Sequence, residues 1–222
     1  MDRVKINQSI KNKQVWYFIV IFFALWTIRE LVISRFVPKY ELISEALLKT
    51  LVWIILPSAF IYLIEKKSPI NFLKLDTFPK KAASWSVVLG LAYVVGAIFF
   101  NGPSFKISTN LEDWLNGFLL VGIAEEIVFR GYILRKFSEL MSFSKANLWQ
   151  SVLFVLIHVP VWFAQNKGYF PTGSLYEYLS AIIFVFIFAI TTGYVTKQTK
   201  SLWPAVIFHS LADLAVIVLI YK

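Results

Sequence analysis

Residues 121–134 read VGIAEEIVFRGYIL, an apolar stretch that carries Glu125, Glu126 and Arg130. Two adjacent carboxylates and a guanidinium inside a lipid-spanning segment are costly unless they face protein or trapped water, so such groups mark a working interior. The competing explanation is a charged segment lying outside the membrane. It weakens as the remaining polar outliers are located.

The chain has 222 residues, 58% of them hydrophobic and 18% aromatic, and its mean hydropathy is +0.68. That exceeds what a soluble globular domain carries. In lipid only helices and closed barrels satisfy the backbone, and these apolar runs are long and do not alternate, so helices are expected. The expected fold class is therefore all-α, a polytopic transmembrane helical bundle. Runs of about 20 residues, enough to cross the hydrocarbon core, place seven spans, with six to eight as the bounds. They lie near Val15–Ile33, Ala46–Ile64, Ala82–Phe100, Trp114–Leu134, Ala146–Phe163, Leu175–Thr196 and Leu202–Tyr221. Arg29 and Glu30 interrupt the first, and Lys49 must snorkel from the second.

Residues 1–14 form a short basic segment (Arg3, Lys5, Lys11, Lys13) ahead of an apolar run with no small-residue cleavage site, which reads as a retained anchor. With that segment cytoplasmic, 14 of the 22 Lys and Arg residues fall on the inner side, the bias of an N-in, C-out protein. A multi-pass protein of the cell membrane follows, with a bacterial plasma membrane as the expected home. The connector EKKSPINFLKLDTFPKK (65–81) reads first as an orientation signal and second as a surface lying on anionic headgroups. No repeat or low-complexity tract divides the chain, so residues 1–222 are expected to form a single integral membrane domain. The basic excess sets topology, and no nucleic-acid motif is present, so nucleic acid is not an expected partner. Membrane lipid is, and the oligomeric state is unreadable. The absence of cysteine removes disulfides, thiolate nucleophiles and cysteine metal sites.

The two histidines, His158 in SVLFVLIHVP and His209 in PAVIFHSLADL, both fall in predicted spans. A lone intramembrane histidine is as often a packing residue as a functional one, whereas two with matched carboxylates change that balance. Helical neighbours at i and i+4 share a face, and Glu126/Arg130, Phe154/His158 and His209/Asp213 all have that spacing. At ~1.5 Å per residue from the predicted cytoplasmic ends, Glu126 lies ~13 Å deep, His158 ~18 Å, His209 ~10 Å and Asp213 ~16 Å. Three helices thus bring ionisable groups to one layer. There is no GxSxG, HExxH or paired-Asp template. Carboxylates and imidazoles remain, and a carboxylate beside an imidazole suits general-base activation of water.

EEIVFR, FVLIH and HSLAD, in that order on separate apolar helices, resemble the EExxxR, FxxxH and HxxxN/D motifs of the CPBP family, the intramembrane proteases related to CAAX-processing enzymes and to bacteriocin-processing and immunity proteins. The motifs span Glu125 to Asp213, about 40% of the chain. The resemblance implies hydrolysis of a peptide bond in a membrane-associated peptide or protein. It implies that Glu125 activates water with help from His158, that Glu126 pairs with Arg130 to brace the helix, and that His209 with Asp213 stabilises the oxyanion. Asp213 departs from the Asn of the CAAX-type enzymes. A carboxylate accepts hydrogen bonds but donates none unless protonated, which leaves Asp213 to orient His209 as the acid of a triad does. No cofactor is expected. If a metal is used, His158, His209 and Glu125 or Asp213 would be its ligands and Zn²⁺ the ion they suit, although the histidines lack the local spacing of zincins. Two other classes stay open on sequence: a noncatalytic bacteriocin-immunity or membrane scaffold protein, and a proton-coupled transporter, which the lack of inverted repeats disfavours.

Overall fold

The computed structural model describes residues 2–33, 36, 42–101, 105–164, 174–215 and 219–221. Within them the chain is helical, as its apolar runs require. Eight helices appear in order: α1 (Asp2–Leu31), α2 (residues 42–63), α3 (Pro69–Phe72), α4 (Lys80–Asn101), α5 (residues 111–140), α6 (Phe143–Ala164), α7 (Leu175–Thr199) and α8 (Trp203–Asp213). Helix α2 widens to π-type hydrogen bonding over Thr50–Ile55, and α5 does so over Asp113–Val121 and again over Ile127–Ile133. Four segments are long and apolar enough to cross a membrane: Lys13–Leu31, Ala46–Leu63, Lys80–Phe99 and Leu175–Thr199. These are the first, second, third and sixth predicted spans. Helices α5, α6 and α8, which carry the polar motifs, are not among them.

The seventh predicted span, Leu202–Tyr221, needs correction. Its helix is described as far as Ala215, widening to π-type hydrogen bonding after Asp213, residues 216–218 lie outside the described residues, and Leu219–Tyr221 form a strand, β2. The strand pairs antiparallel with β1 (Phe105–Ile107), matching Phe105 with Tyr221 and Ile107 with Leu219. Apolarity alone does not separate a helix end from a short strand. Here the peptide groups of Leu219–Tyr221 find partners on β1 instead of in a further helical turn.

Close packing divides the chain into two compact units. The first comprises residues 1–39 and 132–194. In it α1 packs on α6 and on the C-terminal end of α5, with Phe18 against Tyr132 at 4.3 Å and Trp16 against Phe137 at 5.6 Å between ring centroids. Arg29 and Glu30, which interrupt the first apolar run, are both buried and paired with each other. The Arg29 guanidinium also lies over the Trp26 ring, 5.1 Å from its centroid. Pairing and a cation–π contact are what make charges tolerable there.

Between α6 and α7, Asn147 Nδ2 donates to the Ile190 carbonyl at 3.0 Å and Gln150 Nε2 donates to the Ala189 carbonyl at 3.2 Å. Side-chain hydrogen bonds of this kind, with small residues at the crossing, drive helix association in lipid. The Asn147 amide fills the space where Gly193 lacks a side chain. Gly193→Leu is therefore expected to lower stability by about 1–3 kcal/mol, read as an earlier midpoint on detergent unfolding.

The second unit comprises residues 40–131 and 195–222, with α8 packed on α4 and α5. Pro204 lies in the first turn of α8, where its missing N–H costs nothing. Trp203 Nε1 donates to the Leu75 carbonyl at 2.9 Å and Ser201 Oγ to the Thr77 carbonyl at 2.6 Å, which ties the start of α8 to the 65–81 connector. Trp53 packs against Phe129 at 6.1 Å and so holds α2 to α5.

Candidate active site

All the acidic motif residues, Arg130 and His209 belong to the second unit. Helices α5 and α8 approach closely because Gly122 faces α8. A Cβ on Gly122 would stand 3.0 Å from the Ser210 backbone nitrogen, and one on Gly131 would stand 3.6 Å from a Leu202 methyl and 2.6 Å from Leu73 Cδ2. Close approach of this kind is what small residues permit between membrane helices. Leu202 faces Gly131 and Ser210 faces Gly122, so the two helices run antiparallel. That register delivers His209 to the level of Glu125 and Glu126.

Glu126 is sealed from solvent, as is Arg130. The Arg130 Nη1 lies 3.0 Å from Glu126 Oε1, an i,i+4 ion pair. The same carboxylate oxygen accepts a hydrogen bond from His209 Nδ1 at 2.9 Å. This fixes His209 with a proton on Nδ1 and turns Nε2 the other way. On that side stand Glu125 Oε2 and Asp213 Oδ2, each 3.8 Å from Nε2. Glu125 and Asp213 are only half-buried. His209 therefore stands between a sealed face made by Glu126 and Arg130 and a less fully buried one made by Glu125 and Asp213. Three carboxyl groups crowd one imidazole and one guanidinium, an arrangement able to accept and pass on a proton.

Glu125 and Glu126 are adjacent, hence ~100° apart around the helix, and they meet opposite nitrogens of one ring. The Glu126–His209 bond, across 83 residues, was not expected from sequence, where Glu126 was matched to Arg130 alone. Lys49 on α2, read as a snorkelling residue, also contributes, since its charge acts on both Asp213 and Glu112. At Glu112, ahead of the predicted span, burial pushes the carboxyl above its usual range, Asp113 adds to the shift and Lys49 opposes it.

His158 belongs to the first unit, on α6. Its Nδ1 donates to the Phe154 carbonyl at 2.7 Å, which leaves Nε2 as the acceptor nitrogen. The Phe154 ring meets the imidazole edge-on at 4.9 Å and Trp162 lies at 5.8 Å. The FxxxH spacing thus has a physical content: one residue supplies both the carbonyl and the ring that orient the histidine. Pro160 lies inside the same helix two residues on.

Among the described residues no three His, Asp or Glu side chains are arranged to hold a metal ion. His209 has one nitrogen committed to Glu126, and Glu125 Oε2 and Asp213 Oδ2 each stand 3.8 Å from the other nitrogen. One polar residue was overlooked in the sequence. Asn116, in the apolar run leading to Glu125, is buried in α5. Its signal was an amide in a predicted span.

Residues 107–215 match the family model described as type II CAAX prenyl endopeptidase Rce1-like. The matched segment contains every motif residue discussed above. No curated protein matches the chain.

Proposed function

We propose that this chain, a member of the Rce1-like type II CAAX prenyl endopeptidase family, is an intramembrane endopeptidase that hydrolyses a peptide bond of an apolar, membrane-associated peptide or protein. The observation that carries the reading is the arrangement around His209, one imidazole held by a sealed ion pair on one nitrogen and flanked by two half-buried carboxyl groups on the other. Glu125, on the Nε2 side of His209, takes the proton of the attacking water. Glu126 and Arg130 brace α5 and hold the His209 tautomer. His209, as imidazolium, donates from Nε2 to the developing oxyanion, and Asp213 orients it. The water's oxygen bonds to the carbonyl carbon while its proton passes to Glu125. The carbonyl π pair moves onto oxygen and then returns as the C–N bond breaks, and the departing amine takes the proton. The hydrolysis uses no metal. The protein is multi-pass with its N-terminus in the cytoplasm, the orientation its basic residues favour.

The test is cleavage of internally quenched apolar peptides, unmodified and farnesylated, by detergent-purified protein. Glu125→Gln is expected to reduce kcat by about 10²–10⁴-fold, the usual share of a general base, without lowering the unfolding midpoint. Chelator is expected to leave the rate unchanged. Loss on chelation with recovery on adding Zn²⁺ would replace the carboxylate-activated water by a metal-bound one. Equal turnover by wild type and Glu125→Gln would remove Glu125 as the base, and no cleavage of either peptide class by the wild type would remove the protease reading.

A further inference from the structure

Asn116 is 7% exposed, and neither its amide nitrogen nor its amide oxygen has a hydrogen-bond partner among the described residues. A buried amide without partners is costly, and more so within a membrane protein, where water does not make up the loss. Its place in the second unit is defined by the antiparallel register. Gly131 faces Leu202 and Gly122 faces Ser210, so Asp213, three residues beyond Ser210, is level with about residue 119. Asn116 lies three residues further in the same direction, at most ~4.5 Å along the axis. Helices α2 and α8 both pack on this stretch of α5, so the amide is enclosed by protein rather than turned to lipid.

A peptide segment must leave its helix before a bond in it can be hydrolysed, since a helical amide is shielded by its own hydrogen bond and has no room for a tetrahedral centre. Once unwound inside the bilayer it exposes N–H and C=O groups that only protein can satisfy. An asparagine side chain offers one donor set and one acceptor, the complement of a peptide unit. Asn116 is nine residues from Glu125, at most ~13 Å along α5, which an extended chain at ~3.3 Å per residue covers in about four residues.

We propose that Asn116 is a substrate-binding residue that pairs through its amide with the main chain of the unwound substrate, about four residues from the bond that is cut. The inference rests on the protease reading for its substrate and for the position of the cut, but its readout is binding, not turnover. The orphaned amide of the resting protein and the orphaned peptide unit of the unwound substrate satisfy each other in the complex. Because the pairing is to main chain, it selects an extended backbone and is indifferent to side-chain identity.

The test uses the full chain carrying Glu125→Gln, in detergent, titrated with a dye-labelled synthetic apolar peptide of membrane-spanning length. Adding Asn116→Leu, close in size, is expected to weaken binding about tenfold while leaving the unfolding midpoint unchanged or higher, because an unpaired amide is replaced by an apolar group. Asn116→Ala serves the same purpose if the Leu variant does not accumulate. The peptide's amide bonds are then replaced by esters one at a time. One position, three to five residues from the mapped cut, is expected to lose binding to the Asn116 protein and to lose nothing further with Asn116→Leu. Binding within twofold for Asn116→Leu, or an ester penalty equal in both backgrounds at every position, would overturn the proposal. A wild type that binds the peptide with this ester pattern and cleaves nothing would remove the protease reading while leaving the amide pairing established.

Discussion

Glu126→Leu is expected to be the most damaging single substitution in the chain for stability, at about 3–5 kcal/mol, because it leaves a buried guanidinium without its carboxylate. Arg130 is nearly sealed from solvent and stands 3.0 Å from Glu126 Oε1, the oxygen that also accepts from His209. The damage should be strongly non-additive. Glu126→Leu with Arg130→Met removes both charges, and exchanging a buried pair for apolar groups of similar volume is often close to neutral. The double variant is expected to regain most of the lost stability, short of the about 1 kcal/mol associated with the His209 hydrogen bond. Unfolding of the four proteins of this cycle in detergent measures it directly. Stability should return without activity, since His209 would no longer be held in its tautomer. A double variant as unstable as Glu126→Leu would show that the ion pair is not the source of the loss.

Gly122→Ala is expected to have the largest effect on turnover of any substitution outside the motifs. A methyl group there would meet Ser210 Oγ at 2.5 Å and the Ser210 backbone nitrogen at 3.0 Å. The hydroxyl can rotate, but the backbone can yield only by moving α8, and His209 is the adjacent residue. Overpacking of this kind costs about 1–3 kcal/mol, and a displacement of about 1 Å in a positioned group costs on the order of 10²-fold in rate. Gly96→Ala is the matched control, with nothing within 4 Å of the added carbon. It should be neutral or gain up to about 1 kcal/mol of helix propensity. If both alanines behave alike, the contact between α5 and α8 does not position the imidazole.

The helical class was legible because hydropathy and run length report directly on what lipid demands of a backbone. The composition of α4 and α7 sufficed to mark them as spans, and the family match over 107–215 agrees with the ordered motifs. The end of the seventh span was not legible, since Leu219–Tyr221 is as apolar as a helix terminus and becomes a strand only through pairing with Phe105–Ile107. The i,i+4 pairs Glu126/Arg130 and His209/Asp213 were readable because a helix fixes its own geometry over one turn. Asn116 passed unnoticed because nothing local distinguishes a satisfied amide from an orphaned one.

What the residue order settled, then, is which chemistry the chain carries and on which helices, because membrane partition and helical periodicity act over at most ~20 residues. Which nitrogen of His209 meets which carboxylate was decided by folding alone. That choice depends on how near two helices come, and the distance is set by the missing side chain at Gly122 against the backbone of Ser210, 88 residues away in the chain.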